Sequence, residues 1–186
     1  MYRHLLRLVP ALVLAGLALV MLTGPRQAAA NNDRVQVYPP ESRVVKQIRH
    51  YRQVTWRWQS LMGVRRTPNS SATIKDPSIK FKVWVRDLWR HRAIRASRKA
   101  ARPPHRAGWL CIHRFEGAWT DPNPPYYGGL QMDLAFQRIY GRQLLRRKGT
   151  ADHWTPLEQM WVAERAHRNG RGYYPWPNTA SYCGLI

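Results

Sequence analysis

Apolar positions recur at helical intervals over much of the chain, and the clearest stretch is Glu41–Met62, ESRVVKQIRHYRQVTWRWQSLM. Val44, Ile48, Tyr51, Val54, Trp58 and Leu61 follow one another there in steps of three and four, the period of one helix face. Arg43, Lys46, Arg49, Arg52 and Arg57 fall largely off that stripe. The pattern predicts a basic amphipathic helix that stops at Gly63. Its stripe has three candidate partners: a second helix, the domain that follows, or a membrane surface. Thr67–Ser78, TPNSSATIKDPS, has the composition of a linker. A second basic helix is predicted from Ile79 to about Ala100. One line on it runs through Phe81, Val85 and Trp89, another through Trp84, Leu88 and Arg92. Arg102-Pro103-Pro104-His105 breaks it.

The pattern changes after residue 105. Trp109–Phe115 reads as a short buried helix that carries Cys111. Asp121–Gly129 holds three prolines and two glycines, which is turn and hairpin chemistry. Leu130–Tyr140 reads as a helix with Leu130, Leu134 and Ile139 as core candidates and Gly141 as its stop. Thr155-Pro156-Leu157-Glu158 is a strong helix start, with Thr as N-cap, Pro first and Glu three residues after the cap. That helix is expected to reach about Arg168, before Asn169-Gly170. The tail, GRGYYPWPNTASYCGLI, reads as irregular and aromatic.

Residues 1–30 have the layout of a secretory signal peptide. Arg3 and Arg7 precede an apolar run from Leu8 to Leu22, and Ala28-Ala29-Ala30 supplies a small-residue cleavage site. The run is fifteen residues long, short of the roughly 20 a membrane span needs. The alternative is an uncleaved anchor. The chain has two cysteines, Cys111 and Cys183. In an exported protein two cysteines are expected to pair, the alternative being two buried thiols.

Charge sharpens this division. The formal net charge is +21, and residues 31–110 hold 19 Lys and Arg against four acids, a net of +15, while residues 111–186 hold nine against six. Such a charge first suggests nucleic acid. The export signal argues against that, and favours anionic cell-surface polymers or phospholipid headgroups as partners of the front half.

Glu116 stands among Phe115, Trp119, Tyr126 and Tyr127. Rings closed around a carboxyl disfavour its charged form, and an acid that keeps its proton can protonate a glycosidic oxygen. The same rings suit a sugar face. Gly128-Gly129 would let backbone approach a ligand, and Gln131 offers a donor and an acceptor to hydroxyl or acetamido groups. Trp154 and Trp176 are candidates for the far wall. The plainer reading is an exposed or capping glutamate with aromatic neighbours. Glu164 reads as the structural partner of a nearby arginine. His113, His153 and His167 show no metal-ligand spacing.

The run Cys111, Glu116-Gly117-Ala118-Trp119, Tyr126-Tyr127-Gly128-Gly129-Leu130-Gln131 resembles the catalytic domain of the resuscitation-promoting factors, exported members of the lysozyme-like and lytic transglycosylase group. Val162-Ala163-Glu164-Arg165, and Trp176-Pro177 followed by Cys183-Gly184, agree in order. The likeness covers about 75 residues from Trp109 onward. It departs from the family where Ile112–Phe115 separate the cysteine from the acid, and in a shorter gap from acid to tryptophan. The resemblance implies a mainly α, lysozyme-like α+β fold with a short hairpin. The division it suggests is a signal peptide at 1–30, a basic helical arm and linker at 31–104, and a catalytic domain at 105–186. It implies cleavage of the MurNAc–GlcNAc bond of peptidoglycan outside the cell, in the wall, with Glu116 as general acid and with no cofactor or metal. The substrate-binding candidates are Trp119, Tyr126, Tyr127, Gln131 and Trp154. Glycoside hydrolysis commonly uses a second carboxylate, here Asp121 or Asp133. The lytic transglycosylases often work with one, the muramic 6-hydroxyl closing on C1. The rival expectation is a non-catalytic wall-binding module.

Overall fold

The computed structural model describes residues 37–69 and 78–186. The expected signal segment and most of the Thr67–Ser78 linker lie outside them. The described residues form seven α-helices and one two-stranded hairpin, a mainly α arrangement. Among them no helix is long and apolar enough to cross a membrane.

The two expected basic helices are present, α1 over Glu41–Leu61 and α2 over Ile79–Ala100. The stripe of α1 packs on α2. Glu41 accepts from Lys82 Nζ at 2.6 Å, Trp56 meets Trp89 edge to face at 6.1 Å, and Met62 shares an apolar cluster with Ala100. Contacts in that order mean that the helices run parallel. In an antiparallel pair the sequence separation of partners would shrink toward the connection. The packed line of α2 is the one through Val85 and Trp89, continued by Ala93, Ala96 and Ala100. Trp84, on the other line, is 58% exposed. The stripe of α1 divides along its length. Val44 and Ile48 join Val85 and Trp89, whereas Val54, Trp58 and Leu61 turn toward Leu144 and Leu157. A stripe spaced by threes and fours drifts around a helix in this way.

Beyond residue 105 come α3 (Arg106–Glu116), β1 (Tyr126–Tyr127), β2 (Met132–Asp133), α4 (Leu134–Tyr140), α5 (Arg142–Lys148), α6 (Pro156–Ala166) and α7 (Pro177–Tyr182). The capping box at Thr155 and Glu158 forms as expected, with Pro156 first. Gln159 to Glu164 are buried without a break, so α6 is the central helix and the others lie around it. Trp109 and Ile112 of α3, Leu130 and Met132 of the hairpin, and Met160 and Val162 of α6 meet in one core.

Several expectations need correction. The helix expected from Leu130 begins at Leu134, because Leu130–Asp133 close the hairpin and Asp133 caps the helix, accepting from Phe136 N at 2.6 Å. Ile139 is 67% exposed rather than core. Arg142–Lys148 forms a helix of its own after Gly141. The central helix ends at Ala166 and passes into a π-turn over His167–Arg171. The tail contains α7, with Pro177 at its first position.

The expected disulfide joins Cys111 of α3 to Cys183, the C-cap of α7, with Cα atoms 6.0 Å apart and a sequence separation of 72. A second junction holds the helix pair to the rest. Trp161 Nε1 donates to Ala100 O at 2.7 Å, Arg165 Nη2 to Leu61 O at 2.7 Å, and Arg168 Nη2 to Met62 O at 2.5 Å. These carbonyls end α1 and α2, where a helix leaves acceptors unpaired and favours positive charge.

Candidate active site at the end of α3

Glu116 is the last residue of α3 and is half-buried. Thr179 Oγ1 of α7 donates to its Oε1 at 2.7 Å. Thr179 was not singled out from the sequence, yet a signal exists. Glu116 lies five residues after Cys111 and Thr179 four before Cys183. Once those cysteines are joined, about one helical turn from each brings the two side chains together. No cation pairs with Glu116 among the described residues.

The chain leaves the helix at Gly117, with φ 143° and ψ −171°, a conformation open to glycine alone. A Cβ there would lie 3.4 Å from both Asp121 Oδ2 and Gln131 Nε2. The Asp121–Gln131 pair therefore stands directly over the residue after Glu116. Gln131 takes φ 43°. Its Nε2 donates to Asp121 Oδ2 at 2.8 Å and to Gly128 O at 3.0 Å, while Asp121 Oδ1 accepts from Asn123. Asp121 and Gln131 thus brace the loop and hairpin against the end of α3. Both Asp121 oxygens are engaged, and Asp133 is the cap of α4.

The aromatic surroundings differ from those expected. Phe115 is 58% exposed, with its ring against Tyr182. Trp119 stacks on His113 at 3.9 Å and is half-buried. Tyr127 packs on the core, and Tyr126 is 50% exposed beside it. Trp154 is 2% exposed, its indole N–H donating to Gly149 O, and Trp176 is 5% exposed, donating to Leu130 O. Both are core residues, not walls of a cleft. Gly128 and Gly129 do not admit a ligand either. A Cβ at Gly128 would meet the Gln159 amide at 2.6 Å, and one at Gly129 would meet His113 Nδ1 at 2.6 Å and the Trp119 ring at 2.8 Å. The space their missing side chains leave is filled from within.

The Glu164 carboxylate is fully buried and takes its partners elsewhere than expected. It accepts from His105 N at 2.8 Å and Trp109 Nε1 at 2.9 Å, and lies 3.1 Å from His105 Nδ1. The arginine nearby, Arg168, donates to the backbone carbonyl of Glu164 and to Met62 O, and not to the Glu164 carboxylate. His105 stacks on His167 at 4.0 Å. Burial and the His105 charge push the His167 pKa down, partly offset by Glu164, while burial and Glu164 push the Tyr173 hydroxyl up.

Of the residues singled out from the sequence, Gln131 and Asp121 are thus brought against Gly117, the residue after Glu116, while Trp119 and Tyr127 pack against the core. Trp154 stands apart. Among the described residues no three His, Cys, Asp and Glu side chains converge as a metal site requires. No family model matches this chain, and neither a curated protein nor a solved structure matches it.

Proposed function

We propose that the protein is an exported peptidoglycan-cleaving enzyme in which Glu116 is the general acid, built on a lysozyme-like C-terminal domain. The observation that carries this is the setting of Glu116: half-buried at a helix end, next to the glycine on which Asp121 and Gln131 stand, and held by one neutral hydroxyl with no cation paired to it among the described residues. A hydroxyl has one donor and two acceptor positions, so Thr179 serves both forms of the acid. It donates to the carboxylate. When Glu116 is protonated, the acid donates to Thr179, whose hydrogen turns to Trp176 O, 3.3 Å away. Glu116 would protonate the glycosidic oxygen, then act as base toward water or the muramic 6-hydroxyl. Asp121 and Asp133 are both committed to structure, which favours the single-carboxylate route and anhydro product ends. Tyr126, which is 50% exposed, and Gln131 would meet the glycan. The exposed Arg43, Lys46, Arg49, Arg90 and Arg98 would hold the enzyme on anionic wall polymers or lipid headgroups.

The test is cleavage of purified peptidoglycan by the mature chain, with products read by mass spectrometry. Glu116→Gln should lower the rate by about 10²–10⁴-fold and leave wall binding intact. Near-full activity in that variant would overturn the assignment of the acid. Absence of any cleavage product from the unaltered protein would return the reading to a wall-binding module.

A further inference from the structure

A cavity of about 820 Å³ lies between α1, α5 and α6, and it shares no residue with the Glu116 cluster. Its size is that of a small-molecule site. Five cations line it, Arg57, Arg66, Arg147, Lys148 and Arg165, against one acid, Glu158. Lys148 and Glu158 cancel each other, the amine donating to both carboxylate oxygens at 2.8 and 2.6 Å. Four arginines remain without a carboxylate among the described residues. Arg165 is turned to the carbonyls of Tyr140 and Leu61, and its Nε is buried without a partner. Burial lowers its pKa to about 10, so it stays charged at neutral pH. Arg57 lies over the Trp58 ring at 5.4 Å, and Arg66 reaches only the Ser60 hydroxyl. The remaining wall is apolar, formed by Val54, Trp58, Leu61, Leu144 and Leu157.

We propose that this cavity binds a small anionic molecule that carries a diphosphate group on an apolar body. Arg57, Arg66 and Arg147 are exposed at the rim of the cavity, and like charges gathered at one rim repel one another less once an anion joins them. A lone carboxylate would leave most of that charge uncompensated. A diphosphate offers several oxygens on one compact group, and arginine forks match such oxygens in pairs. The apolar wall beside the arginines calls for an apolar portion on the same molecule. This inference does not rest on the role of Glu116, and either reading can fail alone.

The probes are inorganic diphosphate and geranyl diphosphate, titrated by calorimetry into the full chain at physiological salt. Geranyl diphosphate should bind at one site, and about tenfold or more tighter than inorganic diphosphate, since its chain buries apolar area. In the double variant Arg57→Gln, Arg147→Gln its affinity should fall at least about tenfold. The control double variant Arg102→Gln, Arg106→Gln removes the same charge from exposed positions outside the cavity and should stay within about twofold, because charges away from the bound anion are screened. Thermal melts check that both variants fold. Equal loss in the control would overturn the site in favour of diffuse charge attraction. Citrate binding as tightly as geranyl diphosphate would overturn the diphosphate assignment. Equal affinity for the two diphosphates would overturn the apolar body, and failure of both to saturate would overturn the proposal as a whole.

Discussion

The helix pair at the front and the assembly beyond residue 105 solve the burial problem in opposite ways. Between α1 and α2 the buried apolar core is Val44, Ile48, Val85 and Trp89, and most arginines remain in water. One stripe per helix suffices, so the other faces can carry a net +15 across residues 31–110 without cost to packing. Beyond residue 105 a single helix, α6, is surrounded on every side. It cannot choose which face to bury, so its polar residues go in with the rest. Gln159 and Glu164 are fully buried. Gln159 ties down Trp119 O and Ala151 O, and Glu164 ties down His105 and Trp109. Most charge in the front is tolerated because it is solvated, the buried Lys82 being paired to Glu41, and the Glu164 charge in the back because both its oxygens have hydrogen-bond partners.

The contrast can be broken most strongly at the disulfide. The double variant Cys111→Ser, Cys183→Ser should cost about 4 kcal/mol on the chain-entropy estimate for a loop of this size, read from denaturant unfolding, and the proposed peptidoglycan cleavage should fall with it as Thr179 drifts from Glu116. Loss of under 1 kcal/mol would mean that the tail is held without the bond. Next, Glu164→Ala should cost about 3 kcal/mol, since it strands the Trp109 and His105 donors in the core. Exposed Arg43→Gln or Arg98→Gln should stay within about 0.5 kcal/mol. Comparable losses in the two regions would end the distinction.

A smaller effect tests the junction. Trp161→Phe removes the hydrogen bond to Ala100 O while keeping the ring, and should cost about 1 kcal/mol. If the junction couples the two regions, helix loss by circular dichroism and near-ultraviolet tryptophan signals should still coincide in the parent and begin to separate in the variant. The smallest effect is acid-dependent. The folded His167 pKa lies below its ordinary value, so the folded state prefers neutral imidazole. Stability is then intact above about pH 6.5 and declines as pH falls through that value toward the depressed one. Thermal melts between pH 7.5 and 5 should show the decline, and His167→Gln should reduce it. An unchanged slope in that variant would assign the acid sensitivity elsewhere.

Local signals were legible in the sequence, and long-range occupancy was not. The Thr155–Glu158 capping box, the bounds of α2 and the stop at Gly141 each depend on residues within a few positions of one another, and each formed where expected. The disulfide was legible because two cysteines leave one pairing. The site was legible only in part. The hairpin sets Gln131 over Gly117, next to Glu116, but Gly128 and Gly129 look open until Gln159 and His113 are seen to fill them. Trp154 reads as a cleft tryptophan until Gly141, thirteen residues earlier, proves to be the surface it covers, a Cβ there lying 2.5 Å from the indole. Sequence shows a tryptophan's appetite for contact and not whether protein or ligand satisfies it. Glu164 was misassigned for a related reason: Arg165 follows it directly and so faces another side of the helix, while Arg168, one turn on, is drawn to Met62 O.

The parallel sense of α1 and α2 bears on how the molecule folds. A helical hairpin can close from its turn, each new contact lying near the last. Here no such growth point exists: Glu41 and Lys82 are 41 residues apart, and partners at the other end are nearly as distant. The contacts between the two helices therefore close loops of 33 residues, from Trp56 to Trp89, up to 41, from Glu41 to Lys82, and the first to form carries nearly the whole entropic cost. High sequence separation of this kind slows folding. The chain ends of α1 and α2 find prepared donors in Trp161, Arg165 and Arg168 of α6 and the turn after it. The pair is thus fixed at its far end by an assembly whose own contacts span longer stretches still, 55 residues between Trp109 and Glu164, so neither region offers the other a short first loop.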